Sequence, residues 1–392
     1  MTQKNVSLTQ TINEAKLGDF GLSSGNGLST GDFGLSAGVG ISVHTLCLME
    51  RIMSRGGVML DGGRRYAAAA ALATAIGLAG IPDAYAATYN IGAASSAVNI
   101  TLVSDDLMNV FSGGIAISTT INGGVQYVYS NGSATDTTIS AGGEQYVHDN
   151  GSAVGTSISS GGGQYVYDNG SAVSTIISGG TQNVSINGFA VSTTVSSGGV
   201  QRAYDNGSAS DTTISSGGGQ YVYDNGVASD ATLNSGGWQY VSANGSAVDT
   251  TINGGGLQNV LNNGSAIGTN IYNSGYQSVY SGGSANSTTI NSGGSQYVYS
   301  TGSAVSATIN GGAQYVSSGG VAGVTAINNG GMQYLLDGGS AVGTTIHIGG
   351  VQYLLDGGTA ANTIVSSGGA VQVSGSANMA GDNIIHDGGE LR

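Results

Sequence analysis

An all-β protein, a right-handed parallel β-helix of about 14–15 coils, is the fold this sequence predicts, on three observations. Gly supplies 72 of the 392 residues, with one Pro and one Cys. Gln recurs at 126, 145, 164, 182, 201, 220, 239, 258, 277, 296, 314, 333, 352 and 372, and ten of the thirteen intervals are 19. Between these Gln residues, apolar and polar residues alternate with a period of two, the signature of strands. Collagen is excluded because Gly is not at every third position and Pro is scarce. A disulfide scaffold needs more than one thiol. Nucleic acid is an improbable partner for a chain of net charge −14, which repels phosphate.

The charge is unevenly placed along the chain. Six of the eight basic residues (Lys4, Lys16, Arg51, Arg55, Arg64 and Arg65) precede residue 66. From residue 87 onward only Arg202 and Arg392 remain against sixteen acidic residues, so that stretch alone carries the net −14. Arg64-Arg65 precede the apolar run 66–80, and Ala84-Tyr85-Ala86 follows Pro82. A basic flank, an apolar run too short to span a bilayer and a small-x-small site form a secretory signal peptide, predicted over 53–86 with cleavage after Ala86. Residues 1–52 are an unassigned extension or a misassigned start, 87–104 a cap region, and 105–392 the repeat array.

Within one unit, Gly-Gly leads into Gln-Tyr-Val-Tyr, an alternating strand. Asp-Asn-Gly follows as a turn tolerant of positive φ. Ser-Ala-x-x-Thr-Thr-Ile forms a second β-branched segment, and Ser-Ser-Gly-Gly closes the unit. Helix is implausible, because each interior Gly costs a helix about 1 kcal/mol. The position two after Gln is Val or Leu in most units, while the one between varies through Tyr146, Asn183, Arg202 and Ser278. The former therefore faces the core and the latter solvent. Thr or Ala two residues before each Ile shares the inward parity and is expected to present a methyl group. Such a unit has too little apolar surface to fold alone; stacking in register at ~4.8 Å gives a rod of roughly 70 Å. A propeller is set aside because its blades need about 40 residues.

Residues that could carry chemistry are sparse, and no catalytic residue, cofactor or metal site is assigned. His148, His347 and His386 are far apart in sequence, no interval leaves room for a long loop, and the Gly runs recur as corners. Asp residues occupy the turn in neighbouring units (Asp149/Asp168, Asp205/Asp224, Asp337/Asp356) and read as solvated turn residues. The Asn column from Asn131 to Asn225 is expected to form a side-chain ladder at the same turn. Outward Tyr residues form broken stripes: Tyr127, Tyr146, Tyr165; Tyr221, Tyr240; and Tyr315, Tyr334, Tyr353. A second register holds Tyr129, Tyr167, Tyr204 and Tyr223. Such rows suit strand stacking and also binding to glycans, proteins or another copy of the chain.

The unit Gly-Gly-x-Gln-Tyr-Val-Tyr-Asp-Asn-Gly-Ser-Ala-x-x-Thr-Thr-Ile-Ser-Ser, clearest at 162–179 and 218–235, resembles the repeat of AIDA-type autotransporter passengers across about residues 105–390. The resemblance implies a β-helical passenger exported to the surface of a Gram-negative bacterium and serving adhesion, autoaggregation or biofilm formation. It also implies a C-terminal translocator barrel in the outer membrane. This chain ends at Glu390-Leu391-Arg392 without one, so a passenger fragment, a truncated gene product or a protein needing a separate exporter is expected. Some relatives are O-heptosylated by a dedicated heptosyltransferase on a Ser after the turn Ala; here Ser210 and Ser229 match. The second functional expectation is a passive stalk that displayed a head domain.

Overall fold

The structure, a computed structural model, describes residues 86–392; the predicted extension 1–52 and the signal segment up to Tyr85 lie outside the described residues. By contact, residues 91–104 and 108–392 form one compact unit, and the described residues 86–90 and 105–107 belong to another. Among the described residues only short strands occur, arranged in three parallel sheets of 17, 16 and 16 strands, which make about sixteen solenoid turns. One turn contributes Gly163–Val166 to the first sheet, Ser171–Val173 to the second and Ile176–Ser178 to the third. The region expected as a cap is built from the same pieces, with Ser96–Val98 and Thr101–Leu102 opening the second and third sheets, which accounts for a turn beyond the predicted 14–15.

Register is residue on identical residue. Gln145 lies between Gln126 and Gln164, Val147 between Val128 and Val166, and Ala153 between Ala134 and Ala172. The inward column of the first sheet is mostly Val or Leu, with Ala203 in one turn, that of the second is mostly Ala, and that of the third is Ile, Val or Leu; these residues are almost fully buried. Each buried Val or Ile side chain contributes about 1.5–3 kcal/mol, but only while a neighbouring turn covers it.

The core has a polar half that the sequence reading missed. The repeat Gln shares parity with Val, and every Gln from Gln126 to Gln352 is buried with no exposed surface. From Gln145 onward each donates from Nε2 to the Oε1 of the previous turn's Gln at 2.6–2.8 Å, as in Gln145 to Gln126 and Gln258 to Gln239. The inward Thr presents its hydroxyl as well as its expected methyl. Thr156 Oγ1 donates to Gln145 Oε1 at 3.3 Å and accepts from Gln164 Nε2 at 3.1 Å. Gln126 begins the ladder by donating to Met108 Sδ at 3.1 Å. Gln352 ends it with a buried Oε1 that has no partner, because Val371 pairs above it.

That ending corrects the predicted register. Gln372 sits above Tyr353, outside the core, and the 20-residue interval marks a one-residue slip. Ala380 likewise pairs with outward Ala361, and Met379 takes the Ala column. The two 18-residue units instead lose a residue at the corner between third and first sheets, where isolated bridges join Ser159 to Gly179 and Asn291 to Gly311.

Corners explain the glycines. Asp149 and Asn150 have φ of 50° and 64°, and Gly151 N–H closes the turn onto His148 O at 2.8 Å. The left-handed residues are therefore Asp and Asn, which tolerate that region. Gly is needed for a different reason: a Cβ on Gly151 would lie 2.1 Å from Val128 O of the previous turn. The Asn column thus serves backbone geometry, and Asn-to-Asn side-chain bonds are found elsewhere, at Asn253–Asn234 and Asn328–Asn310.

Candidate adhesive face

Because side chains alternate across a strand, the residue after each buried Gln points outward, and register stacks these residues in one column on the first sheet. In order the column reads Tyr127, Tyr146, Tyr165, Asn183, Arg202, Tyr221, Tyr240, Asn259, Ser278, Tyr297, Tyr315, Tyr334 and Tyr353. All eight tyrosines of the first stripes singled out in the sequence lie on it, in three separate groups. Tyr297, assigned to no stripe from the sequence, extends the last group to four; the 18-residue interval to Tyr315 hid its place.

The rings stack. Tyr127–Tyr146 and Tyr146–Tyr165 centroids are 4.9 and 4.8 Å apart, within 18° of parallel. Tyr297, Tyr315, Tyr334 and Tyr353 follow at 5.0, 4.9 and 4.8 Å within 10°. Tyr221 and Tyr240 are looser at 5.7 Å, with Trp238 edge-on to both. Two residues further along, His148 stacks on Tyr167 at 4.9 Å, and Tyr204 on Tyr223 and Tyr280 on Tyr299 at 5.2 Å. Such pairs add about 0.5–1.5 kcal/mol beyond area burial, so the face is preordered.

Two hollows interrupt the column where its tyrosines lapse. One, of about 370 Å³, is lined by Glu144, Tyr165, Thr181, Asn183, Arg202 and glycine backbone. The other, of about 420 Å³, is lined by Ser274, Gly275, Tyr276, Ser278, Ser295 and Tyr297. Tyr146 donates to Glu144 Oε2 at 2.7 Å and Tyr165 to Oε1 at 3.4 Å. Burial, then the hydrogen bond to Glu144, pushes the Tyr146 phenol above its usual range, and burial, then the Glu144 charge, raises that of Tyr165. Arg202 reaches over Tyr221, its Cζ 5.8 Å from the ring centroid. Aromatic platforms beside carboxylate, guanidinium, amide and hydroxyl groups are suited to the apolar and polar faces of a sugar ring.

The second sheet carries the other sequence candidates. Ser210 and Ser229 pair directly on adjacent turns, half-buried and outward. They interrupt a column otherwise largely apolar, with Val154, Ile267, Val305 and Val342 exposed. The turn aspartates lie at corners, leaving the sheet faces nearly uncharged. Among the described residues, no group of three or more His, Cys, Asp or Glu is placed to hold a metal ion.

A family model described as the adhesin of the bacterial autotransporter system, probable stalk, matches residues 112–162 and 219–275. A crystal structure of a TibC-catalysed, hyper-glycosylated TibA fragment aligns at 40% identity and a TM-score of 0.54. The alignment covers 76% of this chain and 96% of that one. This chain belongs to the AIDA-type autotransporter adhesin passengers. No curated protein matches it. The AIDA-type passenger family implies export to the surface of a Gram-negative cell, and its stalk architecture accords with a structural, non-enzymatic role.

Proposed function

We propose that the chain is a non-enzymatic adhesive passenger that binds surface glycans or proteins, or a second copy of itself, through the outer face of its first sheet. The observation that carries this reading is the stacked tyrosine column with its two polar hollows, repeated at near-constant spacing. Weak sites repeated along a solenoid combine by avidity, so no single compact pocket is required. The test displays the chain on a bacterial surface and replaces Tyr297, Tyr315, Tyr334 and Tyr353 together with Ser. Adhesion and clumping should fall sharply while far-ultraviolet dichroism is preserved; undiminished adhesion by a folded variant would refute the role of this face.

A second reading is a passive stalk carrying a separate head, favoured by the matched family's description as a probable stalk. Failure of the displayed wild-type chain to clump cells or bind any surface would favour it. We also infer signal cleavage after Ala86, an exposed residue that closes the small-x-small site Ala84-Tyr85-Ala86, and O-glycosylation of Ser210 and Ser229 by a heptosyltransferase-type partner. The glycosylation of the TibA fragment by TibC supports the latter. Mass mapping after co-expression with such a transferase tests it, and unmodified Ser210 and Ser229 would remove it.

A further inference from the structure

The first tyrosine stack ends at Tyr165. One face of its ring lies on Tyr146, with centroids 4.8 Å apart, and the next turn places Asn183 where another ring would continue the stack. A Cβ on Gly163 would lie 3.2 Å from the Tyr165 ring, so this glycine lets the ring lean across the strand to donate to Glu144 Oε1. The other face of Tyr165 is therefore a wall of the hollow of about 370 Å³. Arg202 forms the opposite wall, two turns beyond Tyr165. Between residues 87 and 391 it is the one Lys or Arg in the sequence. Its Cζ lies 5.8 Å from the Tyr221 ring centroid, and among the described residues it pairs with no carboxylate. In a stretch with sixteen acidic residues, the one cation of the array is thus left for something else, at the edge of a hollow.

We propose that this hollow binds a sugar ring that carries a carboxylate, a sialic-acid or hexuronate unit of a glycan. The inference rests on the adhesive reading above and narrows it to one site. The ring takes the level of Asn183, about 4.8 Å beyond Tyr165, and stacks its apolar face on the phenol as the missing tyrosine would. Its carboxylate points to the following turn, where Arg202 supplies the forked N–H donors that match a planar carboxylate. Thr181 and Asn183, half-buried on the floor, offer a hydroxyl and an amide to the ring hydroxyls. Glu144 closes the other end, three turns and about 14 Å from Arg202 at the backbone. Its oxygens accept from Tyr146 and Tyr165 and keep lone pairs for sugar hydroxyls, while its charge repels a carboxylate. An acidic sugar is therefore oriented with its charge toward Arg202, whereas a neutral one leaves that guanidinium unpaired. The second hollow, lined by Ser, Gly and Tyr residues, has neither charge and no such preference.

The test titrates the full chain, displayed on bacteria, with labelled sialyllactose, a labelled hyaluronan tetrasaccharide and labelled lactose. The first two separate a sialic-acid source from a hexuronate source. At least one acidic probe should bind roughly tenfold more tightly than lactose, the gain of one charge-assisted contact. Arg202→Gln, of similar reach but uncharged, should bring that probe down to the lactose level. Asn183→Tyr should fill the gap with a further ring and abolish acidic binding. Both side chains point outward, and far-ultraviolet dichroism of the secreted variants checks that they fold. Acidic binding should survive replacement of Tyr297, Tyr315, Tyr334 and Tyr353 by Ser. Equal affinity for acidic and neutral probes would overturn this site while leaving adhesion through the tyrosine column standing. So would an acidic preference untouched by Arg202→Gln or by Asn183→Tyr. Failure of the displayed wild-type chain to bind any probe or surface would overturn both readings.

Discussion

Replacing Gln239 with Leu tests the polar half of the core at its most exposed weakness. Gln239 Nε2 donates to Gln220 Oε1 at 2.6 Å, and its own Oε1 accepts from Gln258 Nε2 at 2.6 Å and Thr250 Oγ1 at 3.3 Å. Three bonds worth about 1 kcal/mol each disappear. In most turns the Oε1 below would keep the hydroxyl of its own Thr, but the turn of Gln220 has Ala231 there, so that oxygen is left buried and bare. An orphaned buried acceptor adds about 1–3 kcal/mol, and Leu returns roughly 1 kcal/mol of apolar burial. The expected net loss is about 3–5 kcal/mol. Gln201→Leu is the control: it also loses three bonds, but Gln182 Oε1 keeps Thr193 Oγ1 at 3.3 Å, so its loss should be about 1–2 kcal/mol smaller. Adding Ala231→Thr to Gln239→Leu should recover about 1 kcal/mol. Hydrogen exchange of amides 219–222 and 238–241, alongside guanidinium midpoints, measures each variant locally, since repeat arrays need not unfold as one unit. Equal losses for the two Leu variants, or no recovery on adding Ala231→Thr, would refute the reasoning.

Val371→Gln should supply the donor missing above Gln352 Oε1 and stabilise the adjoining turns by about 1 kcal/mol, read as slower exchange of amides 351–354. Gly226→Ala should be severe, because its Cβ would fall 2.1 Å from Ala203 O; Gly319→Ala, with open space around it but φ 77°, should cost only about 1–2 kcal/mol, and comparing their guanidinium midpoints checks this. Burial raises the phenols of Tyr129, Tyr146, Tyr165, Tyr167, Tyr223, Tyr280 and Tyr334 above 10.0. The fold thus favours the neutral ring: the stabilisation is complete below pH 10 and is lost as pH climbs through the raised values, so the thermal midpoint should decline from about pH 10 upward. Self-association between chains of net charge −14 should strengthen when salt rises from 0.01 to 0.15 M, as the Debye length shrinks from about 30 to 8 Å; light scattering would show it.

Much of this was legible in the sequence. The nineteen-residue spacing reported the stacking directly, and tolerance of Asn183, Arg202 and Ser278 beside a consistently apolar position correctly separated outside from inside. The inward Gln was not legible, because hydropathy places an amide at the surface; only its parity with Val betrayed it, and only stacking supplies the partners that make burial affordable. The slip at Val371/Gln372 escaped because sequence spacing cannot tell which of two adjacent residues takes the inward place. Tyr297 escaped for a related reason, the missing corner residue at Gly311. The function of Gly151 and its equivalents was misread as conformational, since a clash with the previous turn's carbonyl exists only in three dimensions. The hollows, too, arise between turns and leave no contiguous motif.

Since every turn offers its successor the same amide, methyl and branched side chain, the gene can gain or lose one nineteen-codon cassette with both new junctions already complementary. Recombination among the near-identical cassettes would then adjust how far the protein projects in increments of about 4.8 Å while leaving its surface chemistry intact. A lineage could in this way match its reach to the thickness of the coat around it without inventing a single new contact.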